Sequence, residues 1–251
     1  MNKNATIYEE VPVLSSSLSE IGYISRTSTQ GKEYLLVQDF ISFMNDKYKK
    51  YRNKKAMIFI EPQLETGFPD IVIAEYYSLP PNCWNDARGD LNTTDLKILC
   101  FIQNNAELTI EKISRTLGFP KDITEESVQR LKKAKMIHLY KNGKVLKVPL
   151  ETYCRIKKII SIEAKINKWS EAIRQANNNT WFSTESYVLL NKDSYSKKVS
   201  DTCEQYGLGI ILLNGALKKA KGSVYRSFPV SFASLQFNEW LIRYYHREKL
   251  L

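Results

Sequence analysis

A carboxylate and an ammonium group stand two positions apart, at Glu163 and Lys165, on an otherwise apolar segment. The segment, residues 159–165, reads Ile-Ile-Ser-Ile-Glu-Ala-Lys and predicts a β-strand. Because side chains at i and i+2 of a strand point to the same face, we expect the two charged groups side by side. Burying such groups is costly unless they are paired or used. Glu163 and Lys165 are therefore candidate functional residues.

A second acid, Asp70, stands at the start of another apolar segment. Pro69 precedes it, and Ile-Val-Ile-Ala follows at 71–74. Proline is tolerated at the start of a strand, where it has no ladder N–H to lose. The segment therefore predicts a second strand, with Asp70 at its N-terminal end.

The two predicted strands, with an amphipathic helix expected at 168–177, resemble the core motif of the PD-(D/E)XK nuclease superfamily. The motif consists of Pro-Asp, then an acid, one residue and a lysine, as in Glu163-Ala164-Lys165. The resemblance implies that Asp70 and Glu163 hold Mg²⁺, or Mn²⁺, with help from the main-chain carbonyl of Ala164. It also implies that Lys165 is the catalytic lysine.

The chemistry of such a site explains the residue types. Mg²⁺ prefers hard oxygen ligands, usually one or two carboxylates with water and phosphate. The metal lowers the pKa of a bound water, and a neighbouring lysine orients or deprotonates that water and stabilises charge at phosphorus. We therefore expect a Mg²⁺-dependent DNA endonuclease that hydrolyses phosphodiester bonds.

The resemblance implies two further site residues. Gln175, on the helix after the motif, is expected to reach back toward the active site or the DNA backbone. Many members also place an acid on the first helix, and Glu33, on a helix predicted from residue 32, is the preferred candidate. The alternatives are Glu61, Glu65 and Glu10.

Residues 91–149 predict a separate module. Helices are expected at 95–103, 110–117 and 125–135, and strands at 136–140 and 145–148 flank Asn142-Gly143, a strong hairpin signal. Three short helices followed by a hairpin resemble the winged helix-turn-helix. The resemblance implies DNA binding.

Charge supports that expectation, because residues 129–158 hold ten basic residues and one acid, Glu151. The family places its third helix and hairpin at the DNA. Six basic residues on those parts are candidate DNA contacts: Arg130, Lys132, Lys133, Lys135, Lys141 and Lys144. The alternative is a protein-binding module with a solvated basic face.

The predicted domain organisation treats the module at 91–149 as an insertion in the nuclease domain. Asp70 and Glu163 are 93 positions apart, and residues 91–149 account for most of that gap. Residues 1–90 and 150–251 would then form one discontinuous nuclease domain. Further strands at 185–190 and 209–213, with a helix at 193–205, predict an α/β fold. The resemblance implies a restriction-endonuclease-like mixed central sheet flanked by helices.

The amino-acid composition favours some classes of function and argues against others. The formal charge of +10 on 251 residues fits a polyanionic partner such as DNA. Four scattered cysteines indicate reduced cytoplasmic thiols, and two histidines argue against a histidine-based metal site or triad. No apolar run approaches the roughly 20 residues of a membrane span, and no signal peptide is apparent. We expect a cytoplasmic protein without a membrane partner.

Other functions fit the same residues. One is a non-enzymatic winged-helix DNA-binding protein, whose degenerate nuclease fold serves dimerisation or partner contacts. Another is a toxin-like or accessory subunit that cuts only when a partner protein delivers it. A restriction-type or mobile-element defence role fits the predicted architecture. A homodimer is expected if both DNA strands are cut, since that usually needs two active sites.

Overall fold

The computed structural model describes residues 11–26, 30–50, 55–80, 83–213 and 217–250, without the side chains of 217–220. These residues divide into two units. The first comprises residues 11–18, Tyr23–Tyr77 and Lys157–Arg226, and the second comprises Ser19–Gly22, Ser78–Ile156 and residues 227–250. No described helix has both the length and the apolar character that a membrane span requires.

A seven-stranded mixed sheet forms the centre of the first unit. In chain order its strands are β1 (Val13–Leu14), β2 (Lys55–Ile60), β3 (Ile71–Tyr76), β7 (Ile156–Lys165), β8 (Glu185–Asn191), β9 (Gly209–Leu213) and β10 (Leu217–Lys221). The spatial order is the same as the chain order. β2 and β3 form an antiparallel pair, whereas β7, β8 and β9 run parallel to one another. The parallel connections are made by helices, as an α/β fold requires.

Helices cover both faces of this sheet. They are α1 (Lys32–Lys50), α5 (Trp169–Asn178) and α6 (Lys197–Gln205). Leu189 and Ile211 share a core with the apolar side of α1, whereas the alternate residues Val188 and Ile210 share a core with α5 and α6. Successive strand residues therefore supply opposite faces. The predicted α/β class, with a mixed central sheet flanked by helices, is confirmed.

The second unit contains a helical cluster and a small sheet. Its described elements are α2 (Thr93–Gln103), β4 (Leu108–Thr109), α3 (Ile110–Leu117), α4 (Lys121–Lys133), β5 (Ile137–Leu139), β6 (Lys144–Lys147) and α7 (Phe232–Arg247). The three strands pair antiparallel in the order β4-β6-β5. Gly143 allows the tight β5–β6 turn because its φ is +78°, which glycine adopts without strain.

The unit boundaries differ from the predicted division at 91–149. The helix α7, which was expected in the nuclease domain, groups with the second unit instead. Its Glu239 accepts two hydrogen bonds from Arg88, at 2.6 and 3.1 Å, and both side chains are buried. Its Asn238 accepts a hydrogen bond from the backbone N–H of Arg155. These buried polar contacts are tertiary, so helical periodicity in the sequence could not reveal them.

Candidate active site

Asp70 and Glu163 meet where the start of β3 lies beside the end of β7. The backbone N–H of Ala164 donates to Asp70 Oδ2 over 2.8 Å. This bond ties two segments that are 94 positions apart in sequence. The two strands are neighbours in the sheet. Strand pairing therefore brings the two predicted acids together.

The two carboxyl groups interact directly. Glu163 is only 2% exposed, and burial, followed by the charge of Asp70, raises the pKa of Glu163 well above its ordinary value. Burial also raises the pKa of Asp70, against the opposing effects of Lys165 and the Ala164 N–H. The two carboxyl groups are thus close enough for the charge of Asp70 to raise the pKa of Glu163. Two ionised carboxylates at this spacing repel each other unless a proton or a cation lies between them.

The two oxygens of Glu163 have different surroundings. Oε1 accepts a 2.6 Å hydrogen bond from Asn179 Nδ2. Oε2 is buried and receives no hydrogen bond from any residue that the structure describes. Buried acceptors normally have a donor or a water. Oε2 is therefore the oxygen left available for a proton or a cation.

Asn179 is a site residue that the sequence analysis missed. It is 6% exposed and follows the end of α5. The signal lies in its spacing, because it stands four positions after Gln175 and hence on the same side of a helix. The spacing alone does not reveal that the Asn179 side chain reaches Glu163 on β7, because that contact depends on how α5 packs against the sheet.

A chain of buried hydroxyl groups lies behind Asn179. The Asn179 carbonyl accepts a hydrogen bond from Ser183 Oγ at 2.9 Å, and Ser161 Oγ lies 2.9 Å from Ser183 Oγ. Ser161 also donates to Ser186 Oγ, which in turn donates to the carbonyl of Ala176. The chain links β7, β8 and α5. It therefore fixes the position from which Asn179 reaches Glu163.

The ammonium group of Lys165 lies close to two carboxylates, those of Glu33 and Asp70. Its Nζ is 3.3 Å from Glu33 Oε2 and 3.9 Å from Asp70 Oδ2, and its side chain is 12% exposed. Burial lowers the pKa of Lys165, but the negative charges of Asp70, Glu33 and Glu163 outweigh that effect and raise it. Lys165 is therefore an ammonium group at neutral pH, fit to hold an anion rather than to accept a proton.

The proposed upstream acids occupy different places. Glu33, in the first turn of α1, contacts Lys165, as described above. The carboxylate of Glu61 pairs with Arg26 instead, although its backbone N–H donates to the Asp70 carbonyl at 3.1 Å. Glu65 lies in the turn between β2 and β3, and Glu10 lies outside the described residues. Glu33 is thus the candidate that the fold brings to Lys165.

Gln175 is not joined to the acids by a hydrogen bond. Its Oε1 is buried and accepts no hydrogen bond from the described part of the chain. Its location on α5, one turn before Asn179, puts it on the helix that supports Glu163. Its expected role toward DNA stays a prediction.

The residues at the site fit a Mg²⁺ ion. Within the described residues, no group of three or more His, Cys, Asp or Glu side chains is placed to hold a metal. Mg²⁺ does not need such a group, because one or two carboxylates plus substrate phosphate and water are its usual ligands. Two neighbouring carboxyl groups, with Glu163 buried and one of its oxygens without a donor among the described residues, match that pattern.

The six candidate DNA contacts fall into two classes. Arg130 is held by Asp95, with three N···O distances of 3.0 to 3.2 Å, and Asp95 is fully buried. Lys144 pairs with Glu107 at 2.9 Å. Arg130 therefore serves to neutralise a buried acid. The other four have no ion-pair partner among the residues described and are exposed: Lys132, Lys133, Lys135 and Lys141.

No protein-family model, curated protein or solved structure matches the chain. The site must therefore be interpreted from its own residues.

Proposed function

We propose that the protein is a Mg²⁺-dependent DNA endonuclease of the PD-(D/E)XK type, whose second unit is a winged helix that binds and positions DNA. The observation that carries the proposal is the buried Glu163 beside the partly exposed Asp70, with Lys165 next to them. Among the described residues, none donates a hydrogen bond to Glu163 Oε2. Perturbed acids next to a lysine are typical of functional sites. The winged-helix assignment is supported by the element order α2-β4-α3-α4-β5-β6.

The residues of the first unit would share the work as follows. Asp70 and Glu163, with the Ala164 carbonyl, would hold the metal ion, and Asn179 would hold the Glu163 carboxylate in place. When bound, Mg²⁺ lowers the pKa of a bound water and neutralises phosphate charge. Lys165 would hold a phosphate oxygen and offset the negative charge that develops at phosphorus.

Glu33 would position Lys165 from the other side. Its carboxylate is 49% exposed, so solvent weakens its attraction for the ammonium group. A phosphate could therefore replace Glu33 as the partner of Lys165 without a large desolvation cost. Glu33 would then act through Lys165 and would not itself ligate the metal.

Plasmid cleavage tests the proposal. The wild-type protein is expected to nick or cut DNA with Mg²⁺ or Mn²⁺ and to lose this activity in EDTA. Lys165→Ala should lower the cleavage rate by about 100-fold or more, the usual cost of removing one group that stabilises transition-state charge. The matched control is Lys158→Ala, on the same strand but paired with Glu185 at 2.7 Å. The control should cut at close to the wild-type rate.

Two results would count against the proposal. Equal activity of wild type and Lys165→Ala would remove the assigned role of Lys165. Duplex binding with no metal-dependent cleavage under any condition would favour the alternative function, a non-enzymatic DNA-binding protein.

A further inference from the structure

A hollow of about 430 Å³ opens in the second unit between the end of α4 and β5. Its floor includes the apolar side chains of Ile137 and Val148, which are 3% and 9% exposed. Polar and aromatic side chains form the rim: Lys132, Lys135, His138 and Tyr140. An apolar floor with a cationic rim suits a ligand that joins negative charge to a flat or ring-shaped apolar part.

The cations around this hollow are uncompensated. Lys132 and Lys135 make no ion pair with any residue in the described ranges, and neighbouring Lys133 and Lys141 make none either. Arg130, two positions before Lys132 on α4, is already bound to Asp95. The free lysines are thus concentrated at the end of the helix and in the hairpin. Phosphate groups are the natural partners for such a cluster.

The first half of α4 has the opposite character. Asp122, Glu125 and Glu126 are all exposed there. Lys121 lies 3.4 Å from Glu111 and 3.8 Å from Glu125, so its charge is shared between two acids. A DNA backbone laid along this half would meet net negative charge. Repulsion therefore disfavours docking through the first half of the helix.

We propose that the hollow is where the second unit holds DNA. Phosphates would lie against Lys132 and Lys135, and the sugar or an exposed base edge would lie against Tyr140 and the apolar floor. The 51% exposed ring of Tyr140 is open to such a contact. This inference rests on the proposed function, since it requires the second unit to bind DNA, but it adds which part of the unit docks.

A consequence is that binding depends little on base sequence. Phosphate contacts fix position but carry no direct sequence information. The half of α4 that would enter a groove in helix-led recognition is acidic, so few cations are left to reach base edges. We therefore expect duplexes of different sequence to bind with similar affinity.

Fluorescence anisotropy with labelled duplexes tests the inference, using the full chain without metal. Lys132→Glu is compared with Lys121→Glu, which makes the same charge change on the same helix. Lys132→Glu should weaken binding by about tenfold, and the double variant Lys132→Glu/Lys135→Glu should reduce the slope of log affinity against log salt by about 2. Lys121→Glu should stay within about twofold of the wild type. Thermal unfolding confirms that each variant folds.

Tyr140→Ala separates the apolar contact from the charge. It should weaken binding by about fivefold or more without changing the salt slope, because an apolar contact releases no counterions. A loss of affinity with an unchanged slope would support the inference. An unchanged affinity would contradict the role of the apolar floor.

Four other results would overturn the inference. Equal weakening by Lys121→Glu and Lys132→Glu would place the DNA along the whole helix. Competition by polyglutamate as strong as by DNA would indicate an acidic protein partner. Absence of duplex binding by the wild type would remove the proposed DNA-binding function as well, whereas binding that is insensitive to the hollow substitutions would remove this inference alone.

Discussion

Glu163 occupies a place where a free carboxylate is unfavourable. It is buried, it lies against Asp70, and one of its oxygens receives no donor from the described residues. Natural proteins keep such arrangements mainly where a ligand uses them, at some cost in stability. The unfavourable surroundings of Glu163 are therefore the observation that most favours the proposed cation site.

Glu163→Gln should stabilise the metal-free protein at neutral pH by about 0.5–2 kcal/mol, as do other substitutions that relieve a functional site. The amide can still accept from Asn179 and can donate to Asp70. The raised pKa means that folded Glu163 holds its proton to higher pH than unfolded Glu163. Wild-type stability should therefore fall as pH rises from the ordinary glutamate pKa through the raised value.

Urea unfolding in EDTA at a series of pH values measures this effect. The fall should be smaller in Glu163→Gln. If the variant showed the same pH dependence as the wild type and no gain in stability, the buried charge of Glu163 would not be the unfavourable group.

Asn179→Ala should weaken metal binding by about 10- to 100-fold, the usual effect of removing a group that orients a metal ligand. Without the 2.6 Å hydrogen bond, the Glu163 carboxylate loses its fixed orientation. Titration with Mn²⁺, followed by calorimetry, gives the affinity. The control is Asn178→Ala, an exposed neighbour on the same helix. Equal affinities for both variants would show that Asn179 only fills space.

At the scale of elements, Arg130 joins α4 to α2 through the fully buried carboxylate of Asp95. Arg130→Ala should lower the free energy of unfolding by about 3–5 kcal/mol, because it leaves a buried charge without its partner. Lys132→Ala, two positions later and exposed, should change it by less than about 0.5 kcal/mol. Urea unfolding compares the two. An Arg130→Ala variant that kept its stability but lost DNA binding would contradict the structural role.

Element types were predictable from the sequence where the pattern is local. The strand expected at 209–213 is β9 with the same bounds, and the helix expected at 168–177 is α5, displaced by one residue. In contrast, β10 has three lysines and no apolar alternation, and it forms a strand because it pairs with β9. Pairing between distant segments is what local patterns do not contain.

The candidate site was predictable to the same extent. Asp70, Glu163 and Lys165 follow from motif spacing, and the sheet brings them together. Asn179 and the pairing of Arg130 with Asp95 depend on how helices pack, which neither charge nor spacing specifies. The sequence therefore indicated the charged groups but not which of them neutralise each other.

At the scale of the whole molecule, the proposed function divides the work: the first unit cleaves DNA and the second binds it. Lys165→Ala should therefore lose much more cleavage activity than duplex affinity, because it removes only one phosphate contact and leaves the second unit intact. Lys132→Glu/Lys135→Glu should raise the KM for DNA by about tenfold while leaving kcat nearly unchanged, because the lost contacts do not strengthen in the transition state. Steady-state cleavage measures both constants. A large fall in kcat for the double variant would contradict this separation.

The proposed function requires that Asp70 and Glu163 together hold one divalent cation. Calorimetric titration with Mn²⁺ tests it most directly, in the wild type, in Glu163→Gln and in the control Glu185→Gln, which alters a glutamate on β8 that pairs with Lys158. We expect one bound ion for the wild type and the control, and none for Glu163→Gln at the same concentrations. No bound ion in the wild type, or equal binding in Glu163→Gln, would contradict it.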